Sequence, residues 1–171
     1  MELRGLAEHE LAAVARALGQ RLELGDVLLL RGPMGAGKTT FVRALAQGLG
    51  VRRPDRVRSP TYNLCLHHDG PRPLAHVDLF RLAEDDLGAS IGSAAFEALG
   101  LTALTEAGTT PSQVLVVEWA DLWAEPPDDA LELELRLELD DFTRRTLVAS
   151  ARGPRAEARL AAWEHASERS G

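Results

Sequence analysis

The sequence predicts an α/β fold, a three-layer sandwich with a mostly parallel central sheet, helices on both sides and an antiparallel hairpin. The apolar stretch "DVLLL" (26–30) precedes a glycine-rich loop and then a helical pattern, so strand, loop and helix come in order. A second apolar stretch, "VLVVEW" (114–119), has the composition of a buried parallel strand. The segment "ALELELRLELD" (130–140) alternates leucine with mostly charged residues, which is typical of a strand with one solvated face.

The other elements of the N-terminal half follow from local patterns. Residues 8–22 carry apolar side chains at helical spacing, and Gly25 closes this helix before the first apolar strand. Residues 39–50 predict a second helix, which ends at glycine. The segments "TYNLCLHH" (61–68) and "LAHVDLF" (74–80) predict a hairpin, because a turn-forming "DGPRP" lies between them.

The C-terminal half completes the sandwich. Residues 84–108 predict a helical region that is interrupted by glycines. The strand at 130–140 pairs with "TRRTLVASARG" (143–153) through a short turn, which makes a late hairpin. Residues 154–169 predict an amphipathic helix that begins at a proline.

Length, composition and charge restrict the class of protein. A chain of 171 residues with 45% hydrophobic residues predicts one domain over residues 1–171. The formal net charge of −7 argues against a protein that grips nucleic acid by its overall field. The single cysteine, Cys65, excludes an internal disulfide and suits a reducing interior. No signal peptide or membrane span is evident in the sequence, so we expect a cytoplasmic protein without membrane contacts.

The glycine-rich loop carries a phosphate-binding motif. Residues Gly32 to Thr39 fit G-x-x-x-x-G-K-[ST] between a strand and a helix, which is where the motif functions. Its amides and the helix start attract an anion, Lys38 neutralises terminal phosphates, and the Thr39 hydroxyl completes a magnesium shell. A flexible turn would need neither the lysine nor the hydroxyl. The motif therefore predicts a P-loop NTPase-like fold whose nucleotide-binding residues are Gly32, Gly35, Ala36, Gly37, Lys38, Thr39 and Thr40.

Two acidic residues are candidates for the chemistry that follows binding. Glu118 ends "VLVVE" and Asp78 ends "LAHVD", so either can hold magnesium while the other places the nucleophile. Asp78 is alternatively a helix N-cap, and Glu118 an edge-strand surface charge. Ser59, Pro60 and Thr61 suit a loop that closes on a terminal phosphate, and they equally suit an ordinary turn.

The order of these motifs resembles a known family. The stretches "GPMGAGKTT", "SPTYNL", "HVDLFRL", "ALGL" and "VVEWAD", within about residues 6 to 153, are similar to those of the TsaE family. These are the bacterial P-loop ATPases of tRNA threonylcarbamoyladenosine biosynthesis. The resemblance implies magnesium-dependent ATP hydrolysis in a complex with the TsaB and TsaD proteins, slow without them. It also implies that threonylcarbamoyl transfer belongs to TsaD.

The resemblance also implies residue roles. Lys38 would bind the phosphates, and Thr39 and Glu118 would hold Mg²⁺. Asp78 would place water or a neighbouring ligand, although the two acids are interchangeable at this level. Thr61 would sense the terminal phosphate. The resemblance thus implies a catalytic set of four residues: Lys38, Asp78, Glu118 and Thr61.

Several positions extend or depart from the family pattern. Trp119 would pack near the nucleotide or a partner, or serve simply as a core aromatic. Phe80 stands where the family usually has tyrosine, so a role for that hydroxyl is not expected here. No guanine-reading N-K-x-D motif follows the loop, and ATP is expected by resemblance and elimination. The segment before Leu11 and either Arg144 or Arg145 are candidates for the adenine pocket.

Two further groups of side chains have competing interpretations. Four arginines within seven residues suit a tRNA backbone or an acidic partner surface, or form a solvated loop; they are Arg52, Arg53, Arg56 and Arg58. Three histidines at 67, 68 and 76 lack the cysteine or carboxylate spacing of a zinc site, so we expect them to be sheet residues.

Two other function classes share the phosphate-binding loop. A small-molecule kinase needs an arginine-rich lid, and residues 79–112 are acidic and interrupted by glycines, which makes a poor lid. A nucleotide-gated assembly factor would bind ATP with only incidental hydrolysis. A Glu118→Ala variant distinguishes the two classes. An assembly factor would still support tRNA modification after hydrolysis is lost, and an ATPase would not.

Overall fold

A computed structural model describes residues 1–60, 63–85, 91–98 and 112–168. Short 3-10 turns at Pro54–Arg56 and Ala120–Leu122 accompany the regular elements. In chain order, those elements are β1 (Glu2–Leu6), α1 (Glu8–Gly19), β2 (Val27–Arg31), α2 (Lys38–Leu49), β3 (Cys65–His68), β4 (Leu74–Asp78), α3 (Phe80–Asp85), α4 (Ser93–Ala98), β5 (Val114–Glu118), β6 (Ala130–Leu137), β7 (Arg145–Arg152) and α5 (Pro154–Glu168).

The strands form one mixed seven-stranded sheet in the order β1-β7-β6-β2-β5-β4-β3. The four central strands, β6, β2, β5 and β4, run parallel. Antiparallel strands flank them at both edges, with the β3–β4 and β6–β7 hairpins where the sequence predicts them. The predicted α/β fold is thus confirmed, and its antiparallel part is larger than one hairpin.

Strand β1 was not predicted. Its five residues pair antiparallel with β7, and the register shifts between Leu3 and Leu6 around Gly5, whose φ is 65°. A segment this short and irregular has no clear alternation of apolar and polar side chains. The pairing with β7 makes it a strand, and this pairing is a tertiary contact.

Other differences concern the limits of elements. Of the strand predicted at 61–68, residues 65–68 form a strand and residues 63–64 form a turn, while residues 61–62 lie outside the described residues. Helix α3 begins at Phe80, earlier than the predicted helical region, and α4 covers six residues of that region. The parts of that prediction at 86–90 and 99–108 lie outside the described residues.

The core has one apolar cluster on each face of the sheet. Helices α1, α2 and α5 cover the first face with buried residues such as Leu11, Phe41 and Trp163. On the second face, Phe96 of α4 stacks on Trp123 with ring centroids 4.1 Å apart. None of the described helices is long and apolar enough to cross a membrane.

The parallel strands determine where polar side chains can meet. Strands β2, β4 and β5 are neighbours and end at the same edge of the sheet. The phosphate-binding motif follows β2, and β4 and β5 end in Asp78 and Glu118. Because ligands of open α/β sheets bind at the carboxyl ends of the strands, this edge is the candidate site.

Candidate functional site

The loop between β2 and α2 depends on glycine at defined positions. Gly32 has φ 134°, and a Cβ there would lie 2.3 Å from the backbone oxygen of Leu135 on β6. Gly37, with φ 100°, is the left-handed residue before α2 begins at Lys38. A side chain at either position would strain or displace the loop. The loop therefore presents its backbone next to the start of a helix.

Lys38 is buried at the start of α2, with 5% of its surface exposed. Its ammonium donates to the carbonyl oxygens of Gly32, at 2.7 Å, and Pro33, at 3.0 Å. Burial lowers the pKa of Lys38, while the negative charge of Glu118 opposes this effect. The ammonium is thus held by two carbonyl oxygens of the loop that precedes it.

Glu118 lies at the centre of a buried polar cluster. The Thr39 hydroxyl donates to the Glu118 carboxylate and lies 3.0 Å from each of its oxygens. The His76 Nε2 lies 2.7 Å from Oε1 of the same carboxylate. Glu118 is 2% exposed and His76 is fully buried. Hydroxyl and carboxylate oxygens are the ligands that Mg²⁺ prefers, so Thr39 and Glu118 fit this ion.

Asp78 lies beside Glu118, because the parallel β4–β5 ladder pairs these two residues. One carboxylate oxygen of Asp78 accepts a hydrogen bond from the Ser59 hydroxyl at 2.5 Å. The other accepts from the Phe80 amide at 3.0 Å, at the start of α3. Asp78 therefore caps a helix, as one interpretation predicts, and also contacts the loop before residue 61.

These side chains surround a cavity of about 430 Å³. Lys38, Thr39, Asp78 and Glu118 all line it, together with Ser59. Of the other predicted nucleotide-binding residues, Gly35, Gly37 and Thr40 also line this cavity. Gly32 lies behind Lys38, whose ammonium it binds through its carbonyl, and Ala36 is buried. Thr61, the predicted phosphate sensor, lies outside the described residues.

Two aromatic rings form one wall of the cavity. Trp119 packs on Phe80 with ring centroids 4.8 Å apart, and the Lys38 ammonium lies 3.7 Å from the centre of the Trp119 ring. Trp119 has a φ of 59°, which is uncommon for a residue with a bulky side chain. Residues with such strained backbone angles are found mostly at functional sites. Trp119 lines the cavity and also packs against the apolar cluster on the second face of the sheet. Phe80 uses its ring here and needs no hydroxyl.

A second cavity, of about 490 Å³, also borders the loop. It shares Gly35, Gly37 and Thr40 with the first. Its remaining wall includes Ala7, Glu8, Leu11 and Arg145. Of the two candidate arginines, Arg145 is the one that lines it.

Arg145 also binds the loop directly. Its guanidinium donates to the carbonyl oxygens of Ala36, at 2.9 Å, and Gly35, at 3.2 Å. It donates as well to the Phe142 carbonyl in the β6–β7 turn, at 2.6 Å. Arg145 therefore holds two carbonyl groups of the loop from the β6–β7 hairpin.

The sequence patterns missed the contact between His76 and Glu118. His76 is in β4, as expected of a sheet residue, but its hydrogen bond depends on the adjacency of β4 and β5. One signal was present: in "LAHVD" the histidine lies two residues before Asp78, on the same face of the strand.

The basic segment surrounds the 3-10 turn at Pro54–Arg56, between α2 and β3. All four of its arginines, Arg52, Arg53, Arg56 and Arg58, are exposed. Arg53 pairs with Asp55 at 3.3 Å. The segment leads into Ser59, so it adjoins the cavity.

The fold and the loop between β2 and α2 together define the P-loop NTPase-like class. The family model "Threonylcarbamoyl adenosine biosynthesis protein TsaE" matches residues 6–147. The TsaE protein of Aquifex aeolicus is 34% identical over 143 residues, which cover 83% of this chain and 90% of that protein. The TsaE protein of Bacillus subtilis is 33% identical over 151 residues, covering 87% and 85%.

A solved structure agrees with these sequence comparisons. The crystal structure of YdiB from Bacillus subtilis superposes with a TM-score of 0.73 at 27% identity, over 98% of this chain and 95% of that one. The chain belongs to the TsaE family, the proteins of tRNA threonylcarbamoyladenosine biosynthesis. The resemblance of the motifs is thereby confirmed.

Proposed function

We propose that this protein binds ATP with Mg²⁺ and hydrolyses it to support threonylcarbamoyladenosine modification of tRNA, acting with TsaB and TsaD. The observation that carries the proposal is the convergence of Lys38, Thr39 and Glu118 on one cavity at the carboxyl ends of β2 and β5. These three residues match the parts that a P-loop ATPase needs for phosphate and metal. Family membership supports the pathway.

Each residue has a role that its position supports. The amides of the loop and of the α2 start bind the phosphate oxygens, and Lys38 exchanges the carbonyls of Gly32 and Pro33 for them. Thr39 and Glu118 hold Mg²⁺ through their adjacent oxygens. When bound, the ion neutralises charge on the terminal phosphates.

Asp78 is the candidate for placing the attacking water. Its carboxylate lines the cavity next to Glu118 and is tied to Ser59. The water oxygen bonds to the terminal phosphorus, the bond from that phosphorus to the bridging oxygen breaks, and ADP and phosphate form. Among the described residues that line this cavity, Lys38 alone is cationic. One cation gives limited stabilisation of transition-state charge, so we expect slow turnover without partners.

The second cavity is the candidate adenine pocket. It adjoins the phosphate-binding loop, with apolar Leu11 and Ala7 on one side and Arg145 on another. A planar base can pack on these apolar side chains. Because both cavities share Gly35, Gly37 and Thr40, one nucleotide can occupy both.

The exposed arginines are a candidate contact for tRNA or for an acidic surface of a partner. An Arg52→Glu, Arg56→Glu double variant should retain ATP binding and lose assembly with TsaB, TsaD and tRNA, measured by co-purification. The double variant Arg4→Glu, Arg136→Glu has the same net charge change on other exposed arginines and should assemble normally. Normal assembly of the first variant would rule out the contact.

The proposal is tested by titration calorimetry of ATP with and without Mg²⁺, followed by ATPase assays with and without TsaB and TsaD. We expect Mg²⁺-dependent binding that Lys38→Ala weakens at least about tenfold, because a charge-assisted contact is worth about 1.5–3 kcal/mol. TsaB and TsaD should raise turnover. If no Mg²⁺-dependent ATP affinity is found, alone or with these proteins, the proposal is wrong. Consumption of ATP only with a small acceptor would instead indicate a kinase.

A further inference from the structure

We propose that His76 is a positioning residue for Glu118, and that its Nε2–H holds this carboxylate in the orientation in which Glu118 and Thr39 take Mg²⁺ together. The inference rests on the proposed function, since it assigns a role within the same metal site. It concerns a side chain that contacts neither cavity. The geometry of the sheet, and not the loop motif, places this side chain.

The parallel ladder between β4 and β5 creates the contact. His76 pairs with Val116, and two residues further on Asp78 pairs with Glu118. Side chains two residues apart on a strand share a face, so His76 and Glu118 point to the same side of the sheet. They meet diagonally across the ladder with Nε2 and Oε1 2.7 Å apart.

The chemistry of the two groups determines the direction of this hydrogen bond. An ionised carboxylate only accepts hydrogen bonds, so the Nε2 of His76 carries the proton and donates it to Glu118. The Nδ1 of His76 is buried with no hydrogen-bond partner in the described part of the chain. A fully buried imidazole is thus kept in the sheet with one described polar contact, to Glu118.

The second donor to Glu118 explains why this contact matters for a metal. Thr39 is the other donor, and its hydroxyl oxygen is itself a proposed Mg²⁺ ligand. A carboxylate held by Thr39 alone would be anchored only by a group that the ion also engages. The bond from His76 comes from the neighbouring strand β4 and not from α2, so it holds Oε1 independently of the metal. This arrangement keeps Oε2 at a constant distance from the Thr39 hydroxyl oxygen, so both can bind the same ion.

The experiment compares four variants of the full-length protein. His76→Leu removes the donor, and His76→Gln retains an amide donor at about the position of Nε2. His76→Asn is polar but too short to reach Glu118. His68→Leu is the control, because His68 is a neighbouring histidine whose ring centroid lies 6.3 Å from that of His76 and which has no described bond to Glu118. Circular dichroism and melting temperature establish which variants fold.

The measurements are the Mg²⁺ concentration for half-maximal ATP binding, the affinity for ATP without metal, and the Mn²⁺ affinity of the ATP complex by electron paramagnetic resonance. We expect His76→Leu and His76→Asn to weaken metal affinity by about 10–100-fold, the range for lost partners of metal ligands. Metal-free ATP affinity should stay within about twofold, because the phosphate contacts of Lys38 and the loop remain. His76→Gln should recover most of the metal affinity, and His68→Leu should match the wild type.

The outcomes separate the two proposals. A wild-type protein without Mg²⁺-dependent ATP binding would contradict the proposed function itself. If the wild type binds Mg²⁺ and ATP while His76→Leu has an unchanged metal requirement, the role of His76 is wrong and the proposed function stands. Equal losses in folded His76→Gln and His76→Asn would likewise overturn it, since packing and not the donor would then matter. Should His76→Leu not fold, the comparison of the Gln and Asn variants decides.

Discussion

The hydroxyl of Thr39 lies 3.0 Å from both carboxylate oxygens of Glu118, although the two residues are 79 positions apart in the chain. Thr39 is the second residue of α2, and Glu118 ends β5. Their contact links the helix after the phosphate-binding loop to the carboxyl end of β5. Asp78 lies next to Glu118 in the ladder but bonds to Ser59 and to the Phe80 amide. The two acids therefore have different surroundings and should have different roles.

Isosteric amides at the two acids should separate these roles. Glu118→Gln removes a metal ligand, so we expect Mg²⁺-dependent ATP affinity to fall at least about tenfold. Asp78→Asn should leave this affinity within about threefold and lower turnover by about 100-fold, the contribution of a residue that places a nucleophile. Calorimetry and steady-state ATPase assays with TsaB and TsaD measure both. The reverse pattern would mean that Asp78 holds the metal.

Lys38 is the only lysine in the chain, which permits a direct test of where the phosphates bind. A small amine-reactive reagent such as cyanate should modify Lys38 slowly, because this side chain is buried against the loop. We expect ATP with Mg²⁺ to reduce the rate of modification at least about fivefold by occupying the ammonium. Peptide mass spectrometry measures the rate. Adenosine, which has no phosphates, is the matched control, and equal protection by adenosine would contradict phosphate contact.

Arg145 should contribute to nucleotide affinity through the loop. Arg145→Ala removes hydrogen bonds to the carbonyls of Gly35 and Ala36, so we expect ATP affinity to fall about 5–10-fold, or about 1–1.4 kcal/mol. Arg144→Ala is the control, because Arg144 binds the Gly5 carbonyl and the acidic residues Glu10 and Asp141 instead. Calorimetry on both variants measures the difference. Equal affinities for the two variants would exclude a role of Arg145 in orienting the loop.

Gly48 should be essential for the packing of α1 against α2. A Cβ at this position would lie 2.2 Å from the backbone oxygen of Arg16, so the helices would have to separate. We expect Gly48→Ala to lower stability by about 2 kcal/mol and the melting temperature by about 4–8 °C. Gly92→Ala is the control, since a Cβ there meets no atom within 4 Å. A thermal melt of each variant measures the effect, and an unchanged Gly48→Ala melt would contradict the close crossing.

Local patterns were sufficient for much of the fold and part of the site. Helix α2 has the predicted apolar face, with Phe41 and Leu45 both buried, because periodicity reports burial directly. Strand β1 could not be predicted, because five residues with a positive φ at Gly5 become a strand only beside β7. The limits of β3 shifted for a similar reason, since its pairing with β4 begins at Cys65.

The sequence by itself determined the phosphate-binding loop, since Gly32, Lys38 and Thr39 are near neighbours whose spacing carries the chemistry. It also marked Asp78 and Glu118 as acidic ends of apolar strands. Only the tertiary structure decided their partners. The order of β2, β5 and β4 in the sheet brings Thr39 and His76 to Glu118 and leaves Ser59 to Asp78. Strand order depends on packing between distant segments, and a local pattern contains no information about it.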